Sequence, residues 1–193
     1  MLEEPTQVDE YIVKSVRDIL DRLGYDLTDQ NFLRTPERVA TWLEEFRHQE
    51  DPDPGELLTT RFQEAHEELV AVRNIRFTAL CAHHLLPFRG VAHVGYIPRR
   101  ENGVVGISKL PRLVHYFAKQ LTLQERMTNQ IANALNELLN PHGAMVVIVS
   151  EHECMSIRGV KEPEAETITS AVRGFFVSNE GGCKDEFLAL VRR

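Results

Sequence analysis

The chain has 193 residues, enough for one domain with a sizeable core or for one domain with a helical appendage. Apolar and charged fractions of 42% and 26% are those of an ordinary soluble globular protein. A formal charge of −7 argues against a general nucleic-acid or anionic-membrane binder, but leaves room for a local basic pocket for an anionic small molecule.

The first residues, Met1-Leu-Glu-Glu-Pro, are acidic and carry no apolar segment, so they do not read as a signal peptide. No run approaches the ~20 apolar residues of a membrane span. With an odd number of widely spaced cysteines, the expected compartment is a reducing cytoplasm. Between Val8 and Leu23, Tyr11, Ile12, Val16, Ile19, Leu20 and Leu23 recur at helical spacing, and Gly24 stops the helix. A second helix is predicted from Thr35-Pro36, with Thr35 as N-cap, Pro36 at the first helical position, and Val39, Trp42, Leu43 and Phe46 on one face. Asp51-Pro-Asp-Pro-Gly55 reads as a loop and divides an N-terminal helical arm, residues 1–55, from a main body, residues 56–193.

The body begins with strand-like sequence at Leu69–Phe77 and Gly90–Ile97, with Cys81-Ala-His-His84 in the connection between them. Helices are predicted over Ser108–Gln120 and Leu123–Leu139. An apolar strand, Ala144–Val149, then runs on into His152-Glu-Cys154, followed by a strand over Thr167–Val177 and a short helix over Glu186–Arg193. This order predicts an α+β fold: a four-stranded antiparallel sheet with two helices on one face, behind two N-terminal helices. The open edges of such a sheet favour pairing with other subunits.

Two stretches carry the metal chemistry. Cys81-Ala-His-His84 and His152-Glu-Cys154 offer two thiols and three imidazoles, the donors Zn²⁺ prefers. Three of these five groups hold a zinc with one open position, the arrangement of a catalytic rather than a structural metal. On a strand, His152 and Cys154 emerge on the same face. Cys81 and His84 can close around one ion. The favoured ligands are therefore Cys81, His84 and Cys154, which leaves His83 and His152 beside the metal for proton transfer or for hydrogen bonding to the ligands. A Cys81–Cys154 disulfide is the alternative use of the two thiols. The remaining histidines, His48, His66, His93, His115 and His142, read as core or surface residues.

A basic set accompanies these groups. Ser108, Lys109 and Arg112 open a helix, Arg158 follows Cys154, and Arg38 lies near the start of another helix, a pattern suited to phosphate. Gln124 and Glu125 open the long helix. A buried Glu125 could accept two N–H bonds from a planar heterocycle such as guanine, or it could simply complement the helix dipole.

Taken together, the blocks Thr35-Pro-x-Arg38, Cys81-x-His-His84, Gly95-Tyr-Ile-Pro98, Gly106-Ile-Ser-Lys-Leu-x-Arg112, Gln124-Glu-Arg126 with Thr128 and Gln130-Ile131, and His152-x-Cys-Met-x-x-Arg-Gly-Val160 resemble the GTP cyclohydrolase I family. The resemblance runs from Thr35 to the C-terminus. It implies a tunnelling fold in a toroidal homodecamer with active sites at subunit interfaces. It further implies zinc on Cys81, His84 and Cys154, guanine held by Glu125 with Gln124, and Ser108, Lys109, Arg112 and Arg158 facing the ribose triphosphate, with Arg38 reaching in from a neighbouring subunit. The implied reaction takes GTP and water to 7,8-dihydroneopterin triphosphate and formate, the opening step of pterin and folate synthesis. The resemblance implies that activated water attacks C8 while His152 protonates N7 and His83 positions groups nearby.

Ala82 departs from the glutamate usual after the first cysteine, and the acidic Lys161–Glu166 segment departs from what a triphosphate site predicts. Two further readings are a nitrile reductase of the same fold, which needs a thiol nucleophile and a nicotinamide instead of paired histidines, and a catalytically silent zinc-stabilised homologue or divergent paralogue.

Overall fold

The computed structural model describes residues 8–46 and 53–192, which fall into two compact units, Met1–Arg47 and His48–Arg193. The acidic N-terminal pentapeptide, His48 and the first half of the 51–55 loop lie outside the described residues.

In the first unit, α1 (Glu10–Arg22) is capped by Asp9, whose carboxylate accepts from the Tyr11 N–H at 2.9 Å. α2 (Thr35–Glu44) lies against it, tied by the Asp9 N–H to Glu44 and by an Arg17–Glu37 ion pair. α1 buries none of its residues, and its Tyr11, Ile19 and Leu23 stay exposed. Thr35 is not the cap of α2. Arg34 takes that position without a side-chain bond, because the Thr35 hydroxyl turns back to the Asn31 carbonyl and accepts from Arg38.

The second unit runs through α3 (Pro54–Leu57), β1 (Arg61–Phe62), β2 (Val70–Cys81), β3 (Pro87–Ile97), β4 (Val104–Val105), α4 (Lys109–Ala118), β5 (Leu121–Thr122), α5 (Gln124–Leu139), β6 (Gly143–His152), α6 (Glu153–Ser156), β7 (Glu166–Gly174), α7 (Phe175–Ser178) and α8 (Cys183–Val191). The main sheet has the order β5-β2-β3-β6-β7. Its four long strands are antiparallel, as predicted; the two-residue β5, parallel to the end of β2, and the separate β1–β4 ribbon are additions.

α4 and α5 cover one face with Leu110, Leu113, Val114, Met127, Ile131 and Leu135. The two helices lie on one face as predicted, and the other face is covered as well. Ile97, Met145 and Val147 pack there against Phe176, Cys183 and Phe187 from the C-terminal elements. Coverage on both faces explains why β6 reads as a continuous apolar run instead of alternating. It also explains Gly95, where a Cβ would sit 2.6 Å from the Phe187 ring. The neighbouring Tyr96 is buried, and its hydroxyl accepts the Val105 N–H at 2.9 Å, joining β3 to β4. β7 ends at Gly174, whose φ of +57° turns the chain into α7 and delivers Phe176 to the second core; the predicted continuation of this strand to Val177 does not occur.

Candidate metal centre and active site

β2 delivers Cys81 to the end of the sheet, where the strand stops in a tight turn. The Cys81 N–H donates to the Leu86 carbonyl at 2.9 Å, and the Cys81 carbonyl accepts from His84 and Leu85 at 3.2 and 2.9 Å. Leu85 takes the left-handed conformation, φ +55°, that closes this loop. The turn brings together Cys81, His83 and His84, whose potential ligand atoms all lie within 4.8 Å of one another. Cys81 is buried and both histidines are exposed, so the group has an apolar floor and an open mouth.

Cys154 comes from a different element than its spacing predicted. β6 ends at His152, and Cys154 sits in α6, a helical turn closed by the Ile157 N–H on the Glu153 carbonyl and the Ser156 hydroxyl on the His152 carbonyl. The shared-face geometry of a strand therefore does not apply, and the helical turn sets the direction of Cys154. Its thiol lies beside that of Cys81, and all three cysteines are free. Burial pushes the Cys154 thiol pKa up, and the adjacent Cys81 adds to this; Arg158 acts in the opposite direction. One buried and one half-buried thiol with imidazoles beside them suit a soft divalent cation that draws off their protons.

His152 is held on two sides. Its ring stacks on Phe88, with centroids 4.6 Å apart and planes within 3°, because Phe88 and His152 are register partners across β3 and β6. Its Nε2 lies 2.7 Å from Oε1 of Gln124. Burial lowers its pKa, and the Glu125 carboxylate partly offsets this. The start of α5 reaches this point because β5 pairs with β2, setting Thr122 opposite Cys81 and letting the Ala82 N–H donate to the Thr122 carbonyl.

The remaining expected residues occupy several places. Glu125 is exposed at the first turn of α5, while Gln124 is buried at 1% exposure. Ser108 is the N-cap residue of α4 and makes no side-chain capping bond; Lys109 follows half-buried, and Arg112 is exposed one turn on. Arg158 is exposed beyond α6. Arg38 lies in the first unit, bonded to Asn31 and Thr35. Sequence reasoning missed Phe88, Ser150 and the Arg89–Glu153 ion pair at 2.6 Å, which ties β3 to α6. Only Ser150 carried a signal: it precedes His152 by two on β6, so the two share a face.

Comparison with known proteins identifies the family. The family model described as GTP cyclohydrolase I matches residues 12–192. The chain is 49% identical over 183 residues to GTP cyclohydrolase 1 of Bacillus pumilus, covering 95% of this chain and 96% of the relative. It is 48% identical to the Desulforamulus reducens protein of the same name, covering 94% and 96%, and 50% identical to that of Carboxydothermus hydrogenoformans, covering 94% of each. With the donor turn, the stacked histidine and the acidic start of α5 gathered at one end of the sheet, the chain belongs to the GTP cyclohydrolase I family.

Proposed function

We propose that the protein is a zinc-dependent GTP cyclohydrolase I that converts GTP and water to 7,8-dihydroneopterin triphosphate and formate, the first step of pterin and folate synthesis. The observation that carries this reading is the meeting of the Cys81–His84 turn with the His152–Cys154 segment beside Glu125.

Cys81, His84 and Cys154 hold the metal in this reading, and a thiol-rich, partly buried donor set fits zinc. Bound there, zinc supplies Lewis acidity and a nucleophilic water at neutral pH. His152 moves the proton at N7 of the purine, with its ring plane set by Phe88. His83, within the ligand turn, positions groups around C8. Glu125 accepts the guanine N–H groups, with Gln124 in the wall beneath it. Ser108, Lys109, Arg112 and Arg158 face the triphosphate, where the start of α4 adds its dipole to their charge. Arg38 completes the anion site from a neighbouring subunit, its helical arm spanning residues 1–55 and the catalytic domain residues 56–193.

Association between subunits, of which the homodecamer is the family form, is supported by the outer edge of β7, which has no strand partner among the described residues and where Ile168 is 65% exposed. The free thiols fit a reducing cytoplasm, and no helix among the described residues is long and apolar enough to cross a membrane. The close group Cys81, His83 and His84 supports a second ligand set, with Cys154 outside it.

The test is to incubate purified protein with GTP and assay both formate and oxidised, fluorescent pterin. Equimolar amounts are expected. Formate without pterin identifies a divergent paralogue, and zinc binding with neither product identifies a silent homologue.

A further inference from the structure

Gln124 is among the least exposed polar side chains at the site, and each of its amide atoms has a defined partner. Its nitrogen lies 2.9 Å from the Thr167 carbonyl, 3.2 Å from the Ile148 carbonyl and 3.1 Å from the Thr169 hydroxyl. Carbonyls only accept, so this end of the amide must be the NH₂. The other end is then the oxygen, and it receives the Ser150 hydroxyl at 2.6 Å and Nε2 of His152 at 2.7 Å. The surrounding hydroxyls fit the same assignment. Thr169 donates to Thr128 at 2.7 Å, and Thr128 donates to the Gln124 main-chain carbonyl at 2.7 Å.

An amide oxygen cannot donate. Nε2 of His152 therefore carries a hydrogen, and in the neutral ring the lone pair is on Nδ1. We propose that Gln124 is a positioning residue that fixes the tautomer and plane of His152, so that protons pass only through Nδ1, and that its amide does not hold the substrate's base. The proposal rests on the reading of His152 as the proton-transfer group. When Nδ1 accepts a proton, the imidazolium keeps its Nε2–H bond to Gln124. When Nδ1 gives that proton up, the same bond remains. The ring thus cycles without losing its anchor, while Phe88 holds its plane. At 1% exposure and with both amide hydrogens engaged, Gln124 has no donor left for guanine.

Two measurements test this. Neutron diffraction from crystals of the unaltered protein in deuterated buffer is expected to show deuterium on Nε2 of His152; a bare Nε2 with deuterium on Nδ1 overturns the proposal. This readout does not depend on turnover, so it stands apart from any failure of the GTP reaction. In the zinc-loaded enzyme, Gln124→Leu is expected to lower kcat roughly 10–100-fold, as loss of an orienting partner does, with the KM for GTP within about threefold of the parent. A raised KM with an unchanged kcat would instead make Gln124 a substrate-binding residue.

Discussion

The two segments that bring donor groups to the site are held in opposite ways. The Cys81–Leu86 turn is organised mostly by its own main chain, with carbonyl and N–H groups of Cys81 bonded within five residues and one bond from outside, the Ala82 N–H to the Thr122 carbonyl. His152 is organised from afar: Phe88 comes from β3, Gln124 from α5, and Gln124 is itself anchored by Thr167 and Thr169 of β7. A local turn presents ligands with little help from its surroundings. A proton-transfer group needs one ring plane and one tautomer, which distant elements impose. The metal grip should therefore fail through its own atoms, and proton transfer through its neighbours.

The sharpest way to break this contrast is Cys154→Ser. Complete loss of both bound zinc and turnover is expected, measured as metal per subunit alongside formate release. Full activity with retained metal would transfer ligation to Cys81, His83 and His84. His152→Ala comes next. It should keep its metal and lose about 10²–10⁴-fold in ring opening, the usual worth of a general acid–base; near-normal rates would remove His152 from proton transfer. Glu125→Gln should reduce the preference for GTP over other purine triphosphates by roughly 10-fold or more, because a site built to hydrogen-bond a substrate loses most by losing a partner. Unchanged ratios of kcat/KM would leave Glu125 a helix-start residue.

A smaller effect should appear with pH in the metal-free protein. Burial lowers the His152 pKa in the folded state below its unfolded value. Its contribution to stability is therefore present above the ordinary histidine range and declines as pH falls through the lowered value. Thermal melting between pH 7 and pH 5 should fall less steeply in His152→Asn than in the parent, and equal slopes would count against this. The smallest expected effect is Leu85→Gly. Relief of a left-handed leucine returns about 1 kcal/mol, nearly offset by the entropy glycine adds to the unfolded chain. Denaturant midpoints should scarcely move, and a large loss would mean that the Leu85 side chain supports the turn.

Much of this was legible beforehand. The Cys-x-His-His turn was readable because it is local: donor type and spacing suffice when the main chain closes the loop itself. The long strands and the helices α4 and α5 followed from periodicity. The Cys154 turn was misread as strand because a two-residue spacing does not distinguish a strand's end from a helix's first turn. Phe88 gave no signal at all. Its position beside His152 comes from β3–β6 register, and nothing near either residue specifies that pairing. The second apolar face was missed because Phe176 fell inside the strand predicted to run to Val177 and Phe187 inside a terminal helix with no assigned partner; only the placing of α7 and α8 brings the two rings together.

What the amino-acid sequence determined by itself was the donor chemistry, the family and the order of the elements, since these depend on residue type and on periodicities within a few turns of chain. What only the tertiary structure decided was how His152 is aimed. That required the β3–β6 register to bring an aromatic ring, and α5 to bring a buried glutamine, to one imidazole, and sequence spacing places no constraint on atoms that meet only after the sheet has closed.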